Sequence, residues 1–451
     1  MYQTISFLCL LGSLSIATTV TLIDYPAGIL IWGIVVLCTT YALVGKKRYK
    51  SNRLQIAFLL IFIYLASTLI TSSCFSSNDY FLASDPTRYI AMAQGNRGYS
   101  TIIDEITRAY ELTDNNGLYN AMLRLLGTWC NNMGIPATSL LLTLPQTLFG
   151  ILTVQTVFRI ISIKFTSQQA TKYTLIYGIC SLVLLYSGII VRDIVIAFFF
   201  AVCTEVVLKP FKWKGVLLLL VMMTLCIGIR LFSGLFISIF IVYYFFFNIK
   251  SKLVKWAIYP IAGVVLVAVL GSAIMSNLIE QTSEEINSYS EWQGEEAASN
   301  DGFSAKLRSL PTGINYIALT LYSQMNPFPP YSVLRTPDLT PAQFYMGLLM
   351  TISAIWWFFV SYSLMYLFFI KKGYKNLGTK YNTLYFIALL LIIVSCSMHV
   401  DIRRLIPVYP IIYLLYLIST HCIYSKKQVK QTQLMLGRGY IFLNLVYLFI
   451  K

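Results

Sequence analysis

The sequence predicts an all-α, polytopic integral membrane protein with about twelve transmembrane helices and two long extracytoplasmic segments that contain short helices. Of its 451 residues, 57% are hydrophobic and only 12% are charged, and the mean hydropathy is +0.70. Twelve spans of roughly 20 residues need about 240 apolar-rich positions, which the hydrophobic residues can fill. Little sequence is left for a separate soluble domain, so residues 1–451 are predicted to form a single membrane domain.

The second observation is the position of the apolar windows along the chain. They lie near residues 4–22, 27–44, 54–72, 138–158, 173–187, 189–208, 215–232, 235–249, 256–278, 345–370, 382–398 and 405–423. The first window lacks a basic leader and a small-residue cleavage site, so it is interpreted as a retained span. Residues 73–137 and 279–344 form the two long segments. Residues 424–451 form a basic cytoplasmic or interfacial tail, whose stretch Tyr440–Ile450 is too short to cross a bilayer.

The third observation is the distribution of the net charge of +16. With both termini cytoplasmic, 19 of the 20 lysines fall inside, whereas 10 of the 14 arginines fall outside. The lysines follow the positive-inside rule of membrane proteins, which removes the reason to propose nucleic-acid binding. The outer arginines need a second explanation. They either form loop salt bridges with outer acids, or bind phosphate or carboxylate through their forked donors.

The first long segment contains Asp85, Pro86 and Arg88. Asp85 is a candidate base, or simply the N-cap of a helix with Pro86 at its first position. Short helices are predicted near 101–112 and 117–130. Cys74 and Cys130 could form a disulfide in an oxidising compartment. Seven of the nine cysteines lie in or at apolar spans, and the chain has two histidines, so neither a metal site nor a cofactor is expected.

Two arginines lie where the chain has no long loop. Arg192 and Asp193 follow a Ser-Gly turn at the start of the sixth window, and Arg230 precedes a Ser-Gly turn at the end of the seventh. Both arginines are about 25 Å of helix from the short lysine-containing loop that joins the two windows. They are therefore predicted at one depth, a spacing that suits a diphosphate. The structural alternative pairs Arg192 with its neighbour Asp193 and lets Arg230 extend to the interface.

A third charged group precedes the last window, in the run His399-Val400-Asp401-Ile402-Arg403-Arg404. Arg403 and Arg404 are candidates for binding an acidic group or a second diphosphate, or they are an outer anchor balanced by Asp401. On the opposite side, Glu205 is predicted to pair with Lys209 at the i+4 position.

With these residues the chain resembles the bacterial polysaccharide repeat-unit polymerases, the Wzy-like class that makes O-antigen, capsule and exopolysaccharide. The matching pieces are the Asp85 to Tyr89 run, the Ser-Gly and Arg-Asp pairs of 187–193, Arg230 with the Leu-Phe-Ser-Gly that follows, and the proline-rich run after Arg403. The resemblance covers nearly the whole chain by architecture, but each motif is short.

The resemblance implies a glycosyltransferase-type polymerase of undecaprenyl-diphosphate-linked oligosaccharide repeat units at the extracytoplasmic face. Arginines would stabilise the diphosphate leaving group, and a base would activate the acceptor hydroxyl. The expected binding residues are Arg192, Arg230, Arg403, Arg404 and Arg88, and the candidate bases are Asp85, Asp401 and His399. Expected partners are the lipid-linked oligosaccharide, membrane lipid and a chain-length regulator protein.

Two alternatives remain open at this point. A membrane-embedded C-type glycosyltransferase would take a polyprenyl-phosphate sugar and use an acid in the first outer loop, where Asp24 is the only candidate and the loop is short. A flippase or transporter of lipid-linked saccharide would not need the two long outer segments.

Overall fold

The computed structural model describes residues 2–45, 49–74, 82, 85–95, 101–110, 116–249, 306–307, 310–311, 313–398 and 402–450. These residues form an all-helical structure. Eight helices are long and apolar enough to cross a membrane: Gln3–Ile23, Tyr25–Leu43, Lys50–Ser72, Ser139–Ile161, Leu231–Asn248, Pro341–Ile370, Thr379–Cys396 and Ile402–Ile423. The all-α class and a multi-pass membrane architecture therefore agree with the sequence, with eight candidate spans in the described chain.

The helices are numbered in chain order. They are α1 (Tyr2–Ile23), α2 (Tyr25–Leu43), α3 (Lys50–Ser72), α4 (Asp85–Ala93), α5 (Ile102–Tyr110), α6 (Gly117–Asn132), α7 (Ser139–Ile161), α8 (Ser167–Cys180), α9 (Leu182–Ser187), α10 (Asp193–Leu208), α11 (Trp213–Ile229), α12 (Leu231–Asn248), α13 (Ile314–Ser323), α14 (Pro341–Met365), α15 (Tyr374–Leu377), α16 (Thr379–Met398), α17 (Tyr409–Ile418) and α18 (Lys426–Ile450). A 3-10 helix, Ile402–Val408, leads into α17. The short helices predicted near 101–112 and 117–130 are confirmed as α5 and α6.

Within the described chain, three of the predicted windows do not form a candidate span. The fifth window is divided into α8 and α9 at Ser181, whose hydroxyl accepts a hydrogen bond from the Val183 amide. The sixth and seventh windows correspond to α10 and α11, with 16 and 17 residues. Such helices are about 24–26 Å long, less than the roughly 30 Å of a hydrocarbon core. The ninth window, 256–278, lies outside the described residues.

Helix α10 is the centre of the bundle. Of its residues only Phe198 is not buried, and it packs against α7, α11, α12 and the 3-10 helix. A helix that is apolar on every side requires neighbours on every side. We call the end of the bundle at Asp193 the arginine end and the end at Leu208 the lysine end, after the cations found there.

Contacts at the lysine end agree with the predicted placement of the basic loops. Glu205 forms an ion pair with Lys209, which confirms the i+4 prediction. Lys380, at the start of α16, donates through Nζ to Oδ1 of Asn248 at 3.0 Å. The ends of α10, α12 and α16 therefore meet at one level.

The C-terminal helix α18 covers most of the predicted tail, residues 424–451. It has 25 residues, so it is about 37 Å long. Near its start the amide of Gln433 donates to the Tyr416 hydroxyl at 2.9 Å, and further along Tyr440 packs on Phe358 with ring centroids 4.2 Å apart. Tyr447 then reaches Phe328, 5.9 Å away. The stretch from Tyr440 is thus the second half of a helix that runs antiparallel to α14.

Part of the second long segment, 279–344, is inserted among the helices. Gln324, which follows α13, is 1% exposed. Its Oε1 accepts hydrogen bonds from Nε1 of Trp357 and from Oγ of Ser361, both at 2.9 Å. Both donors belong to the candidate span Pro341–Ile370. Residues 279–305 lie outside the described chain. In the part that is described, Gln324 is buried among the helices and does not lie in an exposed loop.

Asp24 has a structural role between α1 and α2. Its Oδ1 accepts from the Ala27 amide at 3.1 Å, and its Oδ2 accepts from the Thr138 hydroxyl at 2.6 Å. The carboxylate therefore caps α2 and connects it to the residue that caps α7. Each of its oxygens is engaged in a helix-terminus contact.

We expect Asp24→Ala to lower the free energy of unfolding by about 1 kcal/mol through the lost cap. Asp24→Asn keeps a capping side chain and should be closer to wild type. Thermal unfolding in detergent measures both effects. Equal stability of Asp24→Ala and wild type would contradict the structural role of Asp24.

Candidate active site at the arginine end

Three places at which the α-helical backbone is interrupted meet at the arginine end. The chain between α9 and α10 is non-helical over 188–192, yet Ile189, Ile190 and Val191 are fully buried. The other two are the junction of α11 and α12, at Arg230, and the 3-10 helix that begins at Ile402. Irregular backbone inside a membrane bundle is tolerated where protein surrounds it or where it lines a cavity. Charged side chains enter the bundle at these three places.

The first interruption depends on a close helix approach. A Cβ atom at Gly188 would lie 2.2 Å from the Thr71 hydroxyl oxygen, so a larger residue here requires Thr71 to shift. Just before Gly188, the carbonyl of Ser187 accepts a hydrogen bond from the Thr147 hydroxyl at 3.1 Å. The Ser-Gly pair therefore lies between α3 and α7, five residues before α10 begins.

Asp193 is the central carboxylate of the site. It is 2% exposed. Its Oδ1 lies 2.9 Å from Nη1 of Arg230, and its Oδ2 lies 4.0 Å from Nε of Arg403. The sequence-based alternative paired Asp193 with Arg192, its neighbour in the chain. The structure instead pairs it across the helix junction with Arg230.

Arg403 connects the first long segment to the bundle. Its Nη1 lies 2.6 Å from Oδ2 of Asp85, the first residue of α4. The Asp85 side chain is 36% exposed and the Arg403 side chain is 16% exposed. These ion pairs form a chain of alternating charge in the order Asp85, Arg403, Asp193 and Arg230, in which Asp193 is the most buried member. Asp85 is more exposed than Asp193, the other carboxylate of the group.

Arg192 has neutral partners. Its Nη1 donates to Oδ1 of Asn116 and to the carbonyl oxygen of Ile229, the latter at 3.2 Å. The hydroxyl of Tyr89 donates to the same Asn116 oxygen at 3.2 Å. Burial is the largest cause of a raised pKa at Tyr89, so this hydroxyl keeps its proton as a donor. Because Ile229 precedes Arg230, this hydrogen bond brings Arg192 to the junction of α11 and α12 at which Arg230 lies.

The group carries excess positive charge. Among the described side chains, Arg192, Arg230, Arg403 and Arg404 supply four positive charges and Asp85 and Asp193 two negative ones, which leaves +2. Arg404 lies within electrostatic range of Arg192 and Asp193. Asp193 also begins α10, and a helix N-terminus favours anions. The arrangement is suited to an anion with several oxygens, such as a diphosphate.

Several residues that the sequence predicts at the site are not among the described contacts of the arginine group. Arg88 is exposed on α4, while Tyr89 beside it is buried, so among the described contacts Arg88 is outside the group. His399 and Asp401 lie outside the described residues. Cys130 is a free thiol and so does not form the disulfide with Cys74 that the sequence allowed.

Asn116 and Tyr89 were not recognised from the sequence. Tyr89 had a signal, because it lies four residues after Asp85 and therefore on the same helical face. Asn116 had none beyond its position before α6. Among the described residues no group of three or more histidine, cysteine or acidic side chains could hold a metal ion.

Comparison with known proteins gives no relative. No family model, no curated protein and no solved structure matches the chain. The chemistry of the arginine end therefore carries any proposal about function.

Proposed function

We propose that this protein polymerises lipid-diphosphate-linked oligosaccharide repeat units into a surface polysaccharide at the outer face of a bacterial plasma membrane. The observation that supports this most strongly is the convergence of Arg192, Arg230, Arg403 and Arg404 around two aspartates, with an excess charge of +2. The lysine end would then be cytoplasmic, and α18 would bring the C-terminus towards the outer side.

The proposed reaction is glycosyl transfer with a diphosphate leaving group. The acceptor hydroxyl oxygen forms a bond to the anomeric carbon of the donor while the bond from that carbon to the diphosphate oxygen breaks. The lipid diphosphate leaves with the electron pair. Negative charge grows on its oxygens in the transition state, and prearranged arginines stabilise that charge. Arg192 and Arg230 are placed to do so from one depth.

Asp85 is the proposed acceptor of the hydroxyl proton. It is the more exposed carboxylate and lies at the edge of the arginine group, whereas Asp193 is enclosed between two arginines. A phosphate that binds Arg403 would compete with Asp85 for the same guanidinium. Binding of the donor would thereby release Asp85 for the acceptor hydroxyl. His399 and Asp401 stay candidates on sequence grounds.

The alternatives are less well supported. Both carboxylate oxygens of Asp24 are used in helix-end contacts, which leaves a C-type transferase without its expected base. A flippase needs no proton acceptor beside the arginines. Surface glycan from a deletion strain separates the three functions. Single repeat units without longer chains indicate the polymerase, a missing sugar indicates the transferase, and inward-facing lipid-linked units indicate the flippase.

We expect Asp85→Asn to reduce polymer formation by about 100-fold, because proton transfer typically contributes 10²–10⁴ to rate. The lipid-linked donor should still bind. Polymer ladders measure the first effect, and co-purification of lipid-linked oligosaccharide measures the second. Arg88→Ala, on the same helix but exposed, is the matched control and should give wild-type ladders. Normal ladders from Asp85→Asn would exclude Asp85 as the base.

A further inference from the structure

A second polar recess lies at the lysine end, remote from the arginine group. It lies between α2, α3 and α7 and is partly open to solvent. The residues that line it are Ala42, Arg53, Ile56, Gln155, Phe158 and Arg159. Two arginines and one amide are thus set in an otherwise apolar wall.

Both arginines are held by the end of α2. Nε of Arg53 donates to the carbonyl oxygen of Ala42 at 2.7 Å, and Nη2 of Arg159 donates to that of Tyr41 at 2.5 Å. The Arg159 guanidinium also lies 3.8 Å from the centre of the Tyr41 ring. The last carbonyls of a helix lack partners within it, so capping accounts for one N–H of each arginine.

Capping does not account for the remaining polar atoms. Nη2 of Arg53 is buried without a hydrogen-bond partner, and so are Oε1 and Nε2 of Gln155. Arg53 is 6% exposed and Gln155 is 4% exposed. A buried donor or acceptor without a partner is costly. An interior that only had to cap α2 would place an apolar side chain at position 155.

The surrounding charge favours an anion. Glu205 lies 3.9 Å from Nη1 of Arg159 and also forms an ion pair with Lys209. Against this one acid stand Arg53, Arg159 and Lys209, which leaves an excess of +2 among these four side chains. Guanidinium groups bind phosphate oxygens strongly and with defined geometry.

We propose that this recess binds a phosphate group, supplied either by an anionic phospholipid headgroup or by free phosphate. Its enclosed part has room for about one water molecule, so one phosphate oxygen enters between Arg53 and Gln155 and the rest of the group lies in the open part. Basic pockets between transmembrane helices on the cytoplasmic side are suited to lipid headgroups. The bound phosphate would tie α2, α3 and α7 together, independently of the proposed polymerase activity.

Thermal unfolding of the purified full chain tests the proposal. The midpoint is followed at constant ionic strength in three titrations, with inorganic phosphate, with micelles of phosphatidylglycerol and with micelles of phosphatidylcholine. A rise with phosphatidylglycerol alone identifies a lipid headgroup, and a rise with inorganic phosphate identifies the free ion. No rise with either ligand overturns the proposal.

Two variants and a control locate the effect. Arg53→Gln should weaken the apparent affinity at least 10-fold. Gln155→Leu should reduce the response to phosphate while the ligand-free protein unfolds at the same or a higher temperature, because a buried amide without partners is removed. Lys214→Gln changes an exposed cation at the same end and should respond like wild type. An equal response in Gln155→Leu and Lys214→Gln overturns the site.

Discussion

Replacing Arg192 by alanine is expected to reduce polymer formation by about 100-fold or more while the protein still folds. The reason is that Arg192 donates to the neutral acceptors Asn116 and Ile229, while the described ion pairs of the buried carboxylate Asp193 are formed with Arg230 and Arg403. Loss of one donor to a developing negative charge typically costs 10²–10³ in rate. Polymer ladders from a complemented deletion strain, normalised to protein in the membrane, measure this loss.

Arg192→Lys distinguishes geometry from charge. Lysine keeps the positive charge but not the planar fork of donors, so we expect an intermediate loss of about 10-fold by the same reasoning on transition-state charge. Arg335→Ala is the matched control, because Arg335 is an exposed arginine outside the group. Wild-type ladders from both Arg192 variants would remove the diphosphate-binding role.

Asp193→Ala is expected to have the largest effect on stability. Asp193 is 2% exposed and balances Arg230 at 2.9 Å and Arg403 at 4.0 Å. Removing one partner of a buried ion pair leaves the other charge uncompensated, at a cost of about 3 kcal/mol. Both arginine side chains keep some exposure, so the cost should fall at the lower end of the usual range. Unfolding in detergent micelles measures it.

A double substitution shows whether the cost comes from the unpaired charge. Asp193→Ala combined with Arg230→Ala should be destabilised by less than the sum of the two single changes, since neither charge is then left alone. Asp193→Asn, which keeps the shape, should also be destabilised. Wild-type stability of Asp193→Asn, or strict additivity in the double variant, would contradict the central position of this carboxylate.

The membrane architecture could be predicted from the sequence, because the length of each apolar stretch can be counted without knowing any tertiary contact. The sequence also indicated that Arg192 and Arg230 lie near each other, because two helices joined by a short loop are antiparallel neighbours, and Arg192 does contact Ile229, the residue before Arg230. It overestimated α10 and α11 as complete spans, because their apolar windows extend through the buried non-helical residues 188–192 and the junction at Arg230. An apolar run of this kind does not reveal where helical hydrogen bonding stops.

Contacts between distant parts of the chain could not be predicted from local sequence patterns. Asp85 and Arg403 are 318 positions apart, and no local spacing relates them. The same limit applies to Asn116, which meets Arg192 only because α4, α6 and α10 assemble there. The adjacent pair Arg192 and Asp193 suggested mutual neutralisation, but the start of α10 directs the aspartate towards Arg230. Side-chain direction at a helix start depends on the turn before it.

The most direct test of the proposed polymerase is reconstitution with its own substrate. Purified protein in detergent is mixed with the lipid-linked repeat unit extracted from the deletion strain, and both glycan length and released lipid diphosphate are measured. We expect chains of two or more repeat units, one lipid diphosphate released for each new linkage, and neither product from Arg192→Ala. Sugar transfer from a lipid monophosphate, or movement of the lipid-linked unit across a vesicle membrane without new linkages, would contradict the proposal.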